Sequence, residues 1–136
     1  MLAVREDREQ VAALLFETAI HDPSPDTIPS AIEALKQLVG PEHGLVKLSI
    51  FENLRRAGDE KGAADALESA RDESDPVWLQ FAAEWERTRG SKERSLNLLA
   101  EASRLLAQPD IYWKTFALAK EVGNPKVMRE MIEGLL

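Results

Sequence analysis

Two segments set 35 residues apart, Trp78-Leu-Gln-Phe81-Ala82 and Trp113-Lys-Thr-Phe116-Ala117, keep Trp, Phe and Ala in the same relative places. Each is followed by a glycine, Gly90 or Gly123, and then by a second stretch of helical periodicity. A self-similar period in the mid-thirties is the pattern of stacked helix hairpins, since one hairpin cannot bury its apolar face alone and needs its neighbours. The constraint predicts an all-α fold, an α-α superhelix of antiparallel helix pairs.

The rest of the chain divides into helices at its prolines and glycines. A first helix is predicted over about Arg5 to Ile20, with Val11, Leu14, Leu15 and the Thr18 methyl on one side. His21-Asp-Pro-Ser-Pro-Asp-Thr27 ends it, because two prolines there cannot continue a helix. A second starts near Pro29 with Asp26 or Thr27 as its cap, carries Ile32, Leu35, Leu38 and Val39, and stops at Gly40-Pro41. The third, Glu42 to Ala57, buries Leu45, Leu48, Phe51 and Leu54 and closes at Gly58-Asp59. The fourth, Glu60 to Asp72, offers mainly alanines and Leu67.

Helix five, Pro76 to Thr88, places Trp78, Phe81, Ala82 and Trp85 at i, i+3, i+4 and i+7. Helix six follows a Ser91 cap with Leu98, Leu99, Ala102, Leu105 and Leu106 inward. Helix seven follows Gln108-Pro-Asp110, with Asp110 as cap and Trp113, Phe116, Ala117 and Lys120 in the spacing of helix five. Helix eight follows Gly123-Asn-Pro125 with Val127, Met128, Met131, Ile132 and Leu135. About eight helices result, in pairs over 1–41, 42–75, 76–108 and 109–136. They form a single repeat domain, and the apolar Leu135-Leu136 ending points to a piece of a larger protein. The repeat core is expected to be Trp78, Phe81, Ala82, Trp85, Trp113, Phe116 and Ala117.

Composition removes several function classes. The net charge of −7 is uneven: residues 1–76 hold 8 Lys and Arg against 16 Asp and Glu, and residues 77–136 hold 9 against 8. An acidic first half repels nucleic acid, so any RNA contact belongs to the second half. No apolar run approaches the roughly 20 residues of a membrane-spanning helix, and the charged N-terminus lacks the apolar core of a signal peptide. The absence of cysteine removes thiolate metal sites and disulfides.

The stretch Trp78-Leu-Gln-Phe-Ala-Ala-Glu-Trp-Glu-Arg-Thr-Arg-Gly90 resembles the first helix of a HAT (half-a-tetratricopeptide) repeat: Trp, an aromatic, Ala, an aromatic-Glu pair and Gly. Phe51-Glu52 before Gly58 echoes it, and the Trp113 copy keeps Trp, Phe, Ala and Gly123-Asn124. That copy departs in having Ala119-Lys120 where aromatic-Glu is expected, and the second helices carry only Ser69-Ala70-Arg71 and Glu101-Ala102-Ser103-Arg104 as echoes. The resemblance covers residues 42–136. It implies a non-enzymatic protein-protein interaction scaffold in an RNA-processing ribonucleoprotein, pre-ribosomal RNA processing and ribosome biogenesis first. It also implies a nuclear, preferentially nucleolar, location, and the HAT-repeat proteins of the small-subunit processome are the relatives it favours. The competing resemblance, to ordinary tetratricopeptide repeats, implies a peptide-binding adaptor or co-chaperone.

Chemistry-bearing residues are few. Arg87, Arg89, Lys92 and Arg94 flank the Gly90 turn and form the candidate contact for a partner or, peripherally, for RNA. Against this, Glu86 and Glu93 are interleaved, and turns are commonly charged simply to stay solvated. Met128, Met131 and Leu135 form a candidate interface for self-association through the C-terminal helix, since Met-rich faces adapt to partners. His21 and His43 have no metal-ligand spacing and are expected as solvated loop residues. Gly40-Pro-Glu-His-Gly44 lacks the Lys-Ser/Thr of a phosphate loop, and no serine sits in a glycine-flanked elbow. No catalytic residue, metal or cofactor is expected; the partners are other proteins of a multi-subunit assembly.

Overall fold

The computed structural model describes residues 2–136, with side chains from Asp7 onward. These residues form eight helices and no strand: α1 (Leu2–Ile20), α2 (Thr27–Val39), α3 (Gly44–Arg56), α4 (Glu60–Ser69), α5 (Pro76–Thr88), α6 (Lys92–Leu105), α7 (Pro109–Val122) and α8 (Pro125–Leu135). The all-α expectation is met, and the breaks fall at the expected prolines and glycines. The chain gathers into two compact units, one ending at Arg71 and the other spanning Asp72–Leu136. Each holds two helix hairpins.

Three of the four hairpin turns share one construction. Gly58, Gly90 and Gly123 all have positive φ (83°, 96° and 82°), the conformation that ends a helix at no side-chain cost only when the residue is glycine. The next residue in each case is the N-cap of the following helix: Asp59, Ser91 and Asn124. Asp59 accepts from the Gly62 N–H and Asn124 from the Val127 N–H, so two of the three also satisfy an orphan backbone donor. Proline at N1 starts α5 and α7, where a missing N–H is harmless.

In the first unit α1 packs on α2 and α3, α2 on α3, and α3 on α4. Its core holds Phe16, Ile28, Leu35, Val46, Leu48 and Phe51. Glu52 is buried as well, paired with Arg55 and Arg56 of its own helix. Arg56 in turn donates to the Ile20 and Asp22 carbonyls at 2.6 Å each, so one buried carboxylate orients the guanidinium that closes the C-terminus of α1. His43, expected in solvent, is instead the N-cap of α3. Its Nδ1 accepts from the Leu45 N–H, and its Nε2 faces Glu9 of α1 at 2.9 Å.

In the second unit α5 packs on α6, α6 on α7, and α7 on α8 around Ala83, Leu96, Leu99, Leu118 and Ala119. Three hydroxyls are buried without penalty because each returns to a carbonyl: Ser95 to Ala83, Ser103 to Ala100, and Thr115 to Ile111. Ser95 thereby ties α6 to α5. The Tyr112 ring of α7 lies 2.8 Å from where a Cβ on Gly134 would stand, so the glycine inside α8 lets the two helices close up.

Four expectations about faces are overturned. Trp78 is only 6% exposed, but Trp113 is 59% exposed and Ala117 lies open, so the second Trp-Phe-Ala copy is not core. Phe81, Trp85 and Phe116 are half-buried. The cause is register: Pro76 to Pro109 and Gly90 to Gly123 both span 33 residues, not 35. In that register Trp78 corresponds to Ile111 and Ala82 to Thr115, all four buried. Trp113 corresponds to Gln80, two residues or about 200° round the helix from the core.

In α1 the buried stripe is Ala12, Phe16 and Ala19, while Val11 and Leu14 are 53% and 70% exposed. Met131 is 1% exposed, its sulfur 3.4 Å from the Ser103 hydroxyl, so it belongs to the core and not to an interface. Met128 and Leu135 are half-buried. Leu105, expected inward, is exposed, because Ser95, Leu96 and Ser103 carry α6 on a rotated face.

Chemical denaturation of dilute protein tests the register. Trp78→Ala should destabilise by about 3–5 kcal/mol as a truncated buried aromatic does, whereas Trp113→Ala should stay within about 0.5 kcal/mol. Equal losses at both positions would restore the 35-residue alignment.

Candidate functional site

The four cations of the Gly90 turn are brought together, but largely as bound groups. Arg87 donates to Glu84 at 2.7 Å, and Lys92 reaches across to Glu121 of α7 at 2.5 Å. Arg89 lies over the Trp85 ring, 3.1 Å from its centroid, and donates to the Thr88 hydroxyl. That stacking also accounts for a second tryptophan on α5: Trp85 is the platform for a cation rather than a second core knob. Arg94 is exposed and makes no ion pair among the described residues. An incoming phosphate would have to displace a carboxylate from Arg87 and Lys92, and exchange of exposed ion pairs gains little.

The same charges border an open cleft of about 210 Å³ between α5 and α7. Gln80, Glu84 and Arg87 stand on the α5 side, and Lys114 and Glu121 on the α7 side. Its floor is apolar, made by Ala83, Leu99, Ala117 and Leu118. The helices are placed by their ends: Asp75 caps α5 at the Val77 N–H, and the left-handed Gly123 stops α7 just beyond Glu121. Gln80 is held by the Pro76 carbonyl at 3.2 Å. Lys114 makes no ion pair among the described residues. It is therefore the cleft cation able to take an acidic group without giving one up.

The electrostatics follow the pairing. Hydrogen bonding to Glu84 raises Arg87, with Glu121 adding a smaller contribution. The Lys92 ammonium holds the Glu121 carboxyl below the ordinary carboxylate range, and Arg87 reinforces it. Reasoning from single segments missed the cleft. The signal was available in the 33-residue spacing of Pro76 with Pro109, which sets Gln80-Glu84-Arg87 and Lys114-Glu121 on neighbouring first helices.

Elsewhere the candidates are quieter. His21 sits by its Nδ1 on the Glu17 carbonyl at 2.8 Å. Among the described residues no cluster of three or more His, Asp or Glu could hold a metal ion, and no helix is long and apolar enough to cross a membrane. No protein-family model, curated protein or solved structure matches the chain.

Carbon-detected NMR titration of Glu121 tests the bridge. Its carboxyl should titrate below the roughly 4.3 of an unperturbed glutamate, and Lys92→Ala should bring it back up. The stabilisation from this pair is present above the unperturbed value and is lost as pH falls through the lowered one. A titration unmoved by Lys92→Ala would remove the bridge from solution.

Proposed function

We propose that the chain is a non-enzymatic protein-binding scaffold that takes an extended, acidic segment of a partner into the cleft between α5 and α7. The observation that carries this reading is the cleft itself: an apolar floor between two first helices, rimmed by charge, with Lys114 free of any ion pair among the described residues. Such a site supplies shape and one exposed cation, the elements of recognition.

The setting we propose is an RNA-processing assembly, pre-ribosomal RNA processing first, with a nuclear or nucleolar location. Its support is the HAT-like string Trp78 to Gly90. RNA contact in this reading is peripheral and centred on Arg94, since the neighbouring cations are engaged. The second reading is a tetratricopeptide-type peptide-binding adaptor or co-chaperone, favoured by a lysine in a groove between first helices.

Affinity purification of the wild type and Lys114→Glu in parallel separates these readings. Ribosome-assembly or splicing factors recovered with the wild type and depleted at least about tenfold with the variant, a difference of about 1.4 kcal/mol, support the scaffold reading. Chaperones depleted in the same way support the adaptor. Identical recovery with both proteins removes the cleft as the docking site.

A further inference from the structure

Among the described residues, five of the six large hydrophobic side chains that stand open to solvent fall on two faces: Val11 and Leu14 on α1, and Trp113, Ile132 and Leu136 on the α7–α8 edge. Helix-repeat faces left to solvent are ordinarily polar. Here they carry large apolar side chains, whereas the internal cleft sets Gln80, Glu84, Arg87, Lys114 and Glu121 around its apolar floor.

The joint between successive hairpins of the second unit shows what each face is shaped to do. Shifted by 33 residues, the α5 cleft positions Gln80, Ala83 and Arg87 become Trp113, Phe116 and Lys120 of α7, and the floor residue Leu99 becomes Ile132 of α8. The α7–α8 edge thus repeats the surface on which α7 itself is seated, with Trp113 braced edge-on by Phe116 at 6.0 Å.

The α1 face is the matching half. Superposing its buried Ala12, Phe16 and Ala19 on Thr115, Ala119 and Val122 of α7 puts Val11, Leu14 and Leu15 where α7 turns Lys114, Ala117 and Leu118 toward the cleft. Charges agree with the pairing. Asp7 and Glu17 outnumber Arg8 along the α1 stripe, while Lys120 and Arg129 border the α7–α8 edge, and none of the five has an ion-pair partner among the described residues.

We propose that a second copy of this chain covers these faces: α1 of one copy seats on the α7–α8 edge of another, Val11 and Leu14 against Trp113 and Ile132, in the way that α7 follows the α5–α6 hairpin and packs on α6. The contact joins two different surfaces, so it is heterologous and leaves one open face of each kind at the ends of any assembly. It goes beyond the proposed scaffold function and does not use the cleft, so Lys114→Glu leaves it intact.

Light scattering and sedimentation over about 1 μM to about 1 mM read the mass. The wild type should grow beyond one chain with concentration. Leu14→Glu and Trp113→Glu should each remove that growth while leaving the circular dichroism and melting temperature unchanged, as both side chains are exposed. An equimolar mixture of the two variants should then recover a species of two chains and no larger, because it retains one sound face of each kind. A wild type that stays monomeric at every concentration, as it would if another protein covers these faces, overturns the proposal. So does a mixture that fails to recover the dimer, as expected for a contact of like with like.

Discussion

A glycine in the left-handed conformation, followed at once by a helix-capping residue, is the constraint on which both units depend. At Gly58-Asp59, Gly90-Ser91 and Gly123-Asn124 one helix is stopped and the next begun within two or three residues. A connection that short forces the two helices to run antiparallel and side by side. It also fixes where each helix starts, and hence which of its residues meet the neighbour. The cleft between α5 and α7, the Lys92–Glu121 bridge and the exposure of Trp113 all follow from that phase.

Close packing is then secured by small and polar side chains set among the large apolar ones. Ala82, Ala83, Ala100, Ala102 and Ala119 are buried in the second unit, and Ser95, Ser103 and Thr115 lie among them with their hydroxyls on carbonyls. Buried hydroxyls cost little when bonded in this way. They let helix axes approach more closely than leucines would allow. Gly134 beneath Tyr112 is the same device at α8. In the first unit the corresponding work falls to Glu52, whose carboxylate is admissible in the interior only because Arg55 and Arg56 attend it.

The helices were legible in the sequence because their ends are marked by chemistry that acts locally: proline at N1, glycine at positive φ, Asp or Asn at the cap. Faces were less legible. The string Val11-Ala-Ala-Leu-Leu-Phe16 is apolar all the way round, and the choice of Ala12 and Phe16 over Val11 and Leu14 is made by α2 and α3, not by α1. The Trp-x-x-Phe-Ala match misled for a related reason. Identity of residue types suggested a 35-residue period, while the turns, which set the geometry, repeat at 33. On helix six only Leu105 departs from the expected face, which Ser95 and Ser103 help to turn, since a serine bonded to a carbonyl packs as readily as alanine. His43 could not be placed because its partners, Leu45 and Glu9, lie on different helices.

The distribution of charge between the internal joint and the open faces carries the last step. Inside the second unit, the charged rim of the cleft is made of groups that neutralise one another: Glu84 with Arg87 along α5, and Lys92 of α6 with Glu121 of α7. Exposed pairs of this kind contribute little to stability, so they are affordable only where α6 already holds α5 and α7 together through Leu96, Leu99 and Ser95. A contact between separate chains has no such covalent and apolar support and must supply its own burial. The α1 and α7–α8 faces differ from the internal joint in that direction: Val11, Leu14 and Trp113 stand where the joint carries Lys114, Ala117 and Gln80, while Ile132 keeps the apolar character of Leu99. A solvent-facing surface has no physical reason to make that exchange, and a surface that holds a partner by burial does.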